Sequence, residues 1–377
     1  MQIEKFKDLT VKAFAEIKQY QLGEKGIIKT GQSYFDDLFP VVNGSIIIFS
    51  AGSGIGKSHK LAQITDNILN TAINPTAGNF AVLHISLEMR VMSLVLRGMS
   101  KKIKSKSKKD ILLQEFTEEE RQQANEYFLS LQDERVFISQ VPTTPKKFYE
   151  GCVTFLDANK DKDSVIITVD HLALISGDNG EPRNSIIEKF IERVNDLKML
   201  YENVVFILLS QTNSDMQKRA QDKNIMSQPT ASDIYYSQFT FQVADYVAIM
   251  ISPGRFGIKE YSKITPDRYP NLEKYFLEED KNGRVSLETY GVNYVHLLKC
   301  REAEGLYLDI YAEEMNIPNV DKEREIRKKE NMPTFSSTIP SFNTVDFTVE
   351  KPLQVAPNFD LASAFDVPDT KKAEDPF

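Results

Sequence analysis

Residues 50–58, SAGSGIGKS, combine three glycines with a lysine and a hydroxyl residue, directly after the apolar run IIIF and directly before a helical pattern. The glycines allow successive backbone N–H groups to face one phosphate, and the helix that follows presents its positive end to it. The lysine can reach β- and γ-phosphates, and the hydroxyl can bind Mg²⁺. The alternative is a glycine-rich turn without a ligand. The spacing favours a nucleoside triphosphate site, whose candidate residues are Ala51, Gly52, Ser53, Gly54, Ile55, Gly56, Lys57 and Ser58.

Two carboxylates and an amide stand at the ends of other apolar runs. Asp170 ends SVIITVD, where the magnesium-binding aspartate of such a site belongs, so Ser58 and Asp170 are the predicted metal ligands. Glu88 follows AVLHIS, where it can deprotonate the attacking water, and Gln211 follows VVFILLS, where it can sense the γ-phosphate. The alternatives are that Asp170 caps a loop and that Glu88 opens a helix, where the helix dipole favours it. The pattern predicts ATP and Mg²⁺ as ligands.

Apolar runs rich in β-branched residues predict the strands that position these side chains. Such near-continuous runs are typical of strands buried on both faces, and helical patterns fall between several of them. Because the carboxyl ends of parallel strands lie at one edge of a sheet, we expect the candidate residues to meet there. The predicted fold is α/β, with a mostly parallel central sheet flanked by helices. The predicted strands are 45–50, 81–86, 164–170, 204–210, 246–251 and 294–299.

Composition and pattern divide the chain into parts. An amphipathic helix closed by Gly23 precedes the strands, and the last segment is rich in proline and acidic, which predicts disorder. A long connection between two core strands is predicted as an insertion, with a hairpin at DKNG. The predicted parts are a linker helix (1–27), an α/β domain (28–312) with the insertion at about 253–292, a charged connector (313–330) and a disordered acidic tail (331–377).

Charge and cysteine usage exclude several classes of protein. Two cysteines are too few for a disulfide framework or a cysteine-rich zinc site, as expected for a reducing compartment. A net charge of -8 argues against a uniformly basic nucleic-acid binder, although not against a local basic channel. No apolar stretch approaches the roughly 18 to 20 residues that a membrane span needs. We therefore expect a cytoplasmic protein without a membrane partner.

The order of the motifs resembles the RecA-like motor domain of replicative hexameric helicases of the DnaB type. The resemblance covers residues 28 to about 312, and the segments that carry it are IIKTGQSYFDDLFPVVNGSIIIFSAGSGIGKS, HISLEM, ITVDHLALI, LLSQTN, FQVADYVAIM and LLKCREAEG. It implies an ATP-dependent, ring-forming DNA helicase, a hexamer that translocates on single-stranded DNA during replication. In that family, the glutamate matched by Glu88 is the catalytic base, and the glutamine matched by Gln211 links the nucleotide state to the DNA loops. Primase and a loader are the implied partners.

The resemblance also assigns Lys299 and Arg301 to a basic finger that enters the ATP site of the neighbouring subunit. Alternate residues of a strand face the same side, so both side chains can point past the sheet edge. A cation at a neighbour's γ-phosphate stabilises transition-state charge and makes hydrolysis depend on assembly. The alternative is a solvated strand end.

The candidate DNA contacts depart from the family pattern. Tyr235, Tyr236 and Gln238 lie in SDIYYSQFTFQ, where the family usually carries an arginine and a glycine, and they can stack on bases or bond to phosphates. Lys218 and Arg219 can contact the DNA backbone, or they belong to a solvated charged stretch. The altered loop favours a rival function, a RecA/RadA- or KaiC-like ATPase in strand exchange or regulation that does not unwind DNA.

Both ends of the chain add expectations. There is no room before the linker helix for the collar or primase domain that family members often carry, which resembles a minimal, phage-like version acting in a bacterial or phage-infected cell. The tail ends in EDPF, which resembles the C-terminal peptide by which bacterial single-strand-binding proteins recruit partners. A phenylalanine in a pocket with its carboxylate clamped is the chemistry of such a contact. The alternative is a chance similarity in an acidic tail.

Overall fold

The computed structural model describes residues 5–330, except residues 24, 26, 39, 178–179, 214–215, 217–224, 227, 236, 259, 304–308, 316 and 318. For residues 225–226, 237–238 and 327–330 it describes the backbone only. The described chain forms two compact units. The first holds the residues up to Glu88 and those from Arg135 onward, and the second is Met89–Glu134. The tail predicted at 331–377 lies outside the described residues.

The described strands agree with the predicted ones to within two residues and add one at each edge of the central sheet and four in a second sheet. Eight of them form one sheet in the order β12-β11-β7-β1-β5-β4-β2-β3. The strands from β7 to β3 run parallel, whereas β11 and β12 are antiparallel to their neighbours. The fold is therefore α/β with a mostly parallel sheet, as predicted. The strands are β1 (Ile46–Ala51), β2 (Phe80–Ser86), β3 (Val136–Ser139), β4 (Ser164–Asp170), β5 (Val204–Gln211), β6 (Ile225–Met226), β7 (Tyr246–Ile251), β8 (Glu260–Ile264), β9 (Phe276–Glu279), β10 (Val285–Leu287), β11 (Val292–Cys300) and β12 (Asp309–Glu314).

The described helices belong to both units. Helix α1 ends where Gly23 adopts a left-handed conformation with a φ of 70°. Helices α4 to α6 form the second unit, in which Ser107 and Thr117 begin α5 and α6 with capping boxes. The helices are α1 (Phe6–Leu22), α2 (Ser33–Asp36), α3 (Lys57–Leu69), α4 (Val91–Lys102), α5 (Lys108–Leu113), α6 (Glu118–Ser130), α7 (Pro145–Ala158), α8 (Arg183–Leu200), α9 (Ser237–Val243) and α10 (Val320–Glu330). None of the described helices has an apolar stretch long enough to cross a membrane.

The central sheet is buried on both faces because its strands alternate between two apolar clusters. In β1, Ile46 packs in the cluster that contains Phe190 of α8, whereas Ile47 packs in the cluster that contains Ile64 of α3. Each large apolar side chain buried in this way contributes about 1.5 to 3 kcal/mol relative to its exposed state. The continuous apolar runs of the sequence are thus explained by helices on both sides of the sheet.

The long connection after β7 forms part of a second, four-stranded sheet with the order β6-β8-β10-β9. Strands β9 and β10 are antiparallel around the DKNG turn, where Gly283 has a φ of 70°. Strand β8 pairs in parallel with β6, which lies in the segment that follows Gln211. Tyr261 of β8 also bonds to the ring of His296, which lies in β11 of the central sheet. The insertion is therefore joined both to a central strand and to the segment after β5.

Candidate functional site

The glycine-rich loop leaves the carboxyl end of a central strand and enters a helix. Strand β1 lies between β5 and β7 and ends at Ala51, and α3 begins at Lys57. Gly54 and Gly56 have φ values of 75° and 116°, which other residues rarely adopt. The Lys57 ammonium donates to the carbonyl oxygens of Ala51 at 3.0 Å and Gly52 at 3.1 Å. Residues 51–58 thus form the predicted strand, loop and helix.

Ser58 and Asp170 meet at this edge of the sheet. Burial raises the pKa of Asp170, while a hydrogen bond from the Ser58 side chain lowers it. Oδ1 of Asp170 is buried and has no hydrogen-bond partner in the described structure. A hydroxyl beside a carboxylate with a spare oxygen fits Mg²⁺, which is usually held by one or two carboxylates together with substrate phosphates. Within the described residues, no group of three or more carboxylate, histidine or cysteine side chains forms a metal site.

Glu88 and Gln211 are brought together by His171, a residue that the sequence reasoning passed over. The Nε2 atom of His171 lies 3.8 Å from Oε2 of Glu88 and 3.3 Å from Nε2 of Gln211. Burial lowers the pKa of His171, and the carboxylates of Glu88 and Asp170 oppose that effect. The only signal in the sequence is that His171 follows Asp170 directly. The buried imidazole of His171 therefore lies between the predicted base and the predicted sensor, within hydrogen-bond distance of Gln211 but not of Glu88.

Electrostatic effects link the lysine of the loop to both carboxylates. Burial lowers the pKa of Lys57, and the charges of Glu88 and Asp170 raise it. The backbone N–H of Leu87 donates to the carbonyl oxygen of Asp170 at 2.8 Å, which holds the end of β2 against the end of β4. A cation, a serine hydroxyl and two carboxylates thus share one edge of the sheet.

Arg255 is a second residue that the sequence reasoning missed. It lies in a short 3-10 helix, Pro253–Phe256, at the start of the insertion. Its guanidinium donates to the carbonyl oxygen of Gly54 in the glycine-rich loop. At the neighbouring Gly254, a Cβ atom would lie 2.3 Å from the carbonyl oxygen of Thr289, so this short helix packs closely against the end of the insertion. The insertion therefore contacts the loop directly.

Lys299 and Arg301 lie together at the end of β11, against the last turn of α9. The Lys299 ammonium donates to the carbonyl oxygens of Phe241 at 2.7 Å and Gln242 at 2.9 Å. Arg301 donates to the Gln242 carbonyl oxygen at 2.9 Å and forms an ion pair with Asp245 at 2.9 Å. Cations are favourable at a helix carboxyl end, where carbonyl groups lack intrahelical partners. Within the described structure, these two side chains bond to α9 and Asp245 and not to the glycine-rich loop of their own chain.

The candidate DNA contacts are only partly described. Tyr235 is 42% exposed, and its backbone N–H donates to the Gln211 carbonyl oxygen at 2.8 Å. The segment that contains Tyr235 is therefore attached to the end of β5. Lys218, Arg219 and Tyr236 lie outside the described residues, and the structure describes only the backbone of Gln238.

Comparisons with known proteins agree with the α/β fold. The model of the DnaB-like helicase C-terminal domain matches residues 27–289, and it ends before Lys299 and Arg301. The ATPase domain of G40P superposes with a TM-score of 0.59 at 16% identity, over 84% of this chain and 100% of that chain. A DnaB-like replicative helicase, whose structure was described with its interactions with primase, gives a TM-score of 0.53 at 16% identity. That match covers 82% of this chain and 64% of the helicase, so the chain spans less than two thirds of its length.

Two further comparisons add no information on function. The KaiC-like protein PH0186 from Pyrococcus horikoshii OT3 is 15% identical over 76% of this chain and 93% of that chain, but its TM-score is only 0.41. No curated protein matches the chain in sequence.

Proposed function

Because the chain belongs to the family of DnaB-like helicase C-terminal domains, we propose that it is the motor of a replicative DNA helicase. It hydrolyses ATP, and it moves along single-stranded DNA as a hexameric ring. One observation carries the proposal: Lys57, Ser58, Asp170 and Glu88 interact at the carboxyl edge of one parallel sheet, next to the glycine-rich loop. This is the set of groups that phosphoryl transfer to water requires.

The loop residues bind the triphosphate. The N–H groups of residues 51–58 surround the β- and γ-phosphates, and Lys57 exchanges its bonds to the loop carbonyls for bonds to phosphate oxygens. Ser58 and Asp170 would hold Mg²⁺, which would neutralise negative charge on the triphosphate. The buried oxygen of Asp170 that lacks a described partner supports this role.

Glu88 is the proposed general base. It takes a proton from the water that attacks the γ-phosphorus, and its half-exposed position leaves room for that water. Gln211 senses whether the γ-phosphate is present. His171, in contact with both side chains, keeps the base and the sensor in a fixed relation.

Hydrolysis depends on a neighbouring subunit, which supplies Lys299 and Arg301 to the γ-phosphate.

Helix α1 is the proposed support of the ring. None of its side chains is buried, although six of them are large and apolar. Phe6 is 80% exposed and Phe14 is 73% exposed. Exposed apolar surface of this kind marks a protein interface, and we propose that α1 docks on the adjacent subunit. The six apolar residues are Phe6, Leu9, Val11, Phe14, Ile17 and Leu22.

The DNA path follows the segment attached to Gln211. Tyr235 has an exposed aromatic ring on which a base can stack, and Tyr236, Gln238, Lys218 and Arg219 are the other proposed contacts. Because the backbone of Tyr235 bonds to Gln211, a change at the γ-phosphate sensor is transmitted to the DNA-facing segment.

The remaining organisation follows from the same proposal. The motor comprises residues 28–312, with the insertion at about 253–292. The linker helix is 1–27, the charged connector is 313–330 and the acidic tail is 331–377. Primase, a loader or a protein that binds the tail is the proposed partner. The motor acts in the cytoplasm of a bacterium or of a phage-infected bacterium.

ATP hydrolysis by the full chain, measured with and without single-stranded DNA, tests the proposal. We expect DNA to stimulate turnover, because the DNA-facing segment and the sensor share a backbone bond. The Glu88→Gln variant is the control, and its turnover should be at least about 10²-fold lower both with and without DNA. Wild-type turnover that is the same with and without single-stranded DNA would contradict the helicase proposal and favour a regulatory ATPase.

A further inference from the structure

Asp245 lies in the turn between α9 and β7, and both of its carboxylate oxygens are engaged. Oδ1 pairs with Nε of Arg301 at 2.9 Å, and Oδ2 pairs with Nζ of Lys198 at 2.7 Å. Oδ2 also accepts the backbone N–H of Ile46 at 2.8 Å. Only 8% of the residue is exposed. A buried carboxylate is thus compensated by two cations and a backbone N–H, as a buried charge requires.

The guanidinium of Arg301 is held by one edge. In addition to the ion pair through Nε, Nη2 donates to the carbonyl oxygens of Gln242 and Val243 at 2.9 Å and of Ala244 at 3.3 Å. Nη1 has no hydrogen-bond partner among the residues that the structure describes, and 45% of the side chain is exposed. A planar guanidinium that is fixed along one edge presents its remaining donors in a defined direction.

The backbone strengthens this connection. The N–H of Arg301 donates to the Asp245 carbonyl oxygen at 2.8 Å, and the N–H of Asp245 donates to the Ile46 carbonyl oxygen at 2.8 Å. Ile46 opens β1, the strand that leads to the glycine-rich loop. The position of Arg301 is therefore fixed relative to the central sheet of its own chain.

We propose that Asp245 is the positioning residue of the finger: it fixes the Nε edge of Arg301 so that Nη1 is directed into the ATP site of the neighbouring subunit. This inference rests on the proposed role of Arg301 in trans. Lys299 is held in a different way, because its ammonium donates to two α9 carbonyl oxygens. Arg301 is thus the donor whose direction Asp245 controls.

The Asp245→Asn variant removes the charge while keeping the size of the side chain. One amide oxygen can still accept, but the amide NH₂ must face Lys198, Arg301 or the N–H of Ile46, all of which are donors. Loss of the ion pair releases the Arg301 side chain. A misplacement of about 1 Å at a catalytic group typically lowers kcat about 10²-fold, and we expect a loss of that order. The affinity for ATP should not change, because the variant's own loop is intact.

Mixed rings separate a positioning role from a structural one. Subunits with Lys57→Ala cannot bind ATP but carry an intact finger, and subunits with Arg301→Ala bind ATP but lack the finger. Mixing with Lys57→Ala subunits should restore ATP hydrolysis to Asp245→Asn. The restored activity should equal that of Arg301→Ala mixed with Lys57→Ala. Asp245→Asn should not be rescued by Arg301→Ala subunits, because neither partner then supplies a positioned finger.

Other results would contradict the positioning role of Asp245 or the finger itself. Wild-type activity of Asp245→Asn alone, or no rescue by Lys57→Ala subunits while Arg301→Ala is rescued, overturns the positioning role. Absence of rescue between Arg301→Ala and Lys57→Ala contradicts the finger itself, and the inference with it. Asp196→Asn is the matched control, because Asp196 forms an exposed ion pair with Arg193 on α8, and it should behave as wild type. If Asp245→Asn does not fold, Asp245→Glu, which keeps the charge but displaces it, should show the same rescue pattern with a smaller loss.

Discussion

The ammonium of Lys299 should make ATP hydrolysis sensitive to pH in an unusual range. The pKa of Lys299 is lowered to about 8, chiefly by burial and also by the charges of Arg301 and Lys198, while Asp245 opposes these effects. With a pKa of about 8, the protonated fraction is about 0.9 at pH 7 and about 0.1 at pH 9. If the finger acts through this charge, kcat/KM for ATP, which reports the pKa values of the free enzyme, should fall about tenfold between those two pH values.

The assay is single-turnover ATP hydrolysis by the full chain with saturating single-stranded DNA, measured from about pH 6.5 to about pH 9.5, a range that brackets the lowered pKa of Lys299. Lys299→Arg is the matched variant, because a guanidinium keeps its charge throughout this range. The pKa of Lys57 is also lowered, but Lys57 is present in both proteins. The difference between the two pH profiles therefore reports Lys299. We expect hydrolysis by the wild type to fall more steeply as the pH rises than hydrolysis by Lys299→Arg, which keeps only the effect of Lys57.

The contribution of Lys299 to stability should change in the opposite direction, so its deprotonation does not lower hydrolysis by unfolding the chain. The folded-state pKa of about 8 lies below the ordinary value of 10.5. Between these two values, the unfolded chain binds more protons than the folded chain, so the free energy of unfolding rises with pH. Superimposable pH profiles for the wild type and Lys299→Arg would show that the charge of Lys299 has no part in hydrolysis.

Two further variants test the site and its support. Glu88→Gln should bind ATP normally but lower kcat about 10²- to 10⁴-fold, the usual contribution of a general base, and near-normal turnover would remove Glu88 from that role. Gly254→Ala should lose about 2 kcal/mol of stability in urea unfolding, because the new Cβ atom lies 2.3 Å from the Thr289 backbone carbonyl. Its control is Gly151→Ala, where nothing lies within 4 Å of the added atom; equal stability losses in both variants would rule out the steric explanation.

The central strands and the glycine-rich loop could be predicted because their signals are local. A run such as SVIITVD is apolar at nearly every position, and the loop is defined by glycine, lysine and serine at fixed spacing. Strands β3 and β12 were not predicted because they lie at the sheet edges. The sequence of β3, VFIS, is apolar but only four residues long, and that of β12, DIYAEE, carries three acidic residues, so neither gives the long apolar run of a strand buried on both faces.

The residues that support the site could not be found in the same way. Asp245, Arg255 and His171 act through contacts between segments that are distant in sequence. The ion pair between Asp245 and Arg301 joins residues 56 positions apart by their numbers, and Arg255 reaches Gly54 across 201 positions. Neither contact leaves a periodic pattern in the chain. Such residues are recognised only after the sheet order brings the segments together.

Strand separation is the most direct test of the central claim. The wild-type chain should unwind a forked DNA duplex in the presence of ATP and Mg²⁺, and neither Lys57→Ala nor Arg301→Ala should do so alone. We expect the wild type to unwind the fork and both variants to have lost this activity. A wild-type preparation that hydrolyses ATP but leaves the fork intact would contradict the helicase proposal.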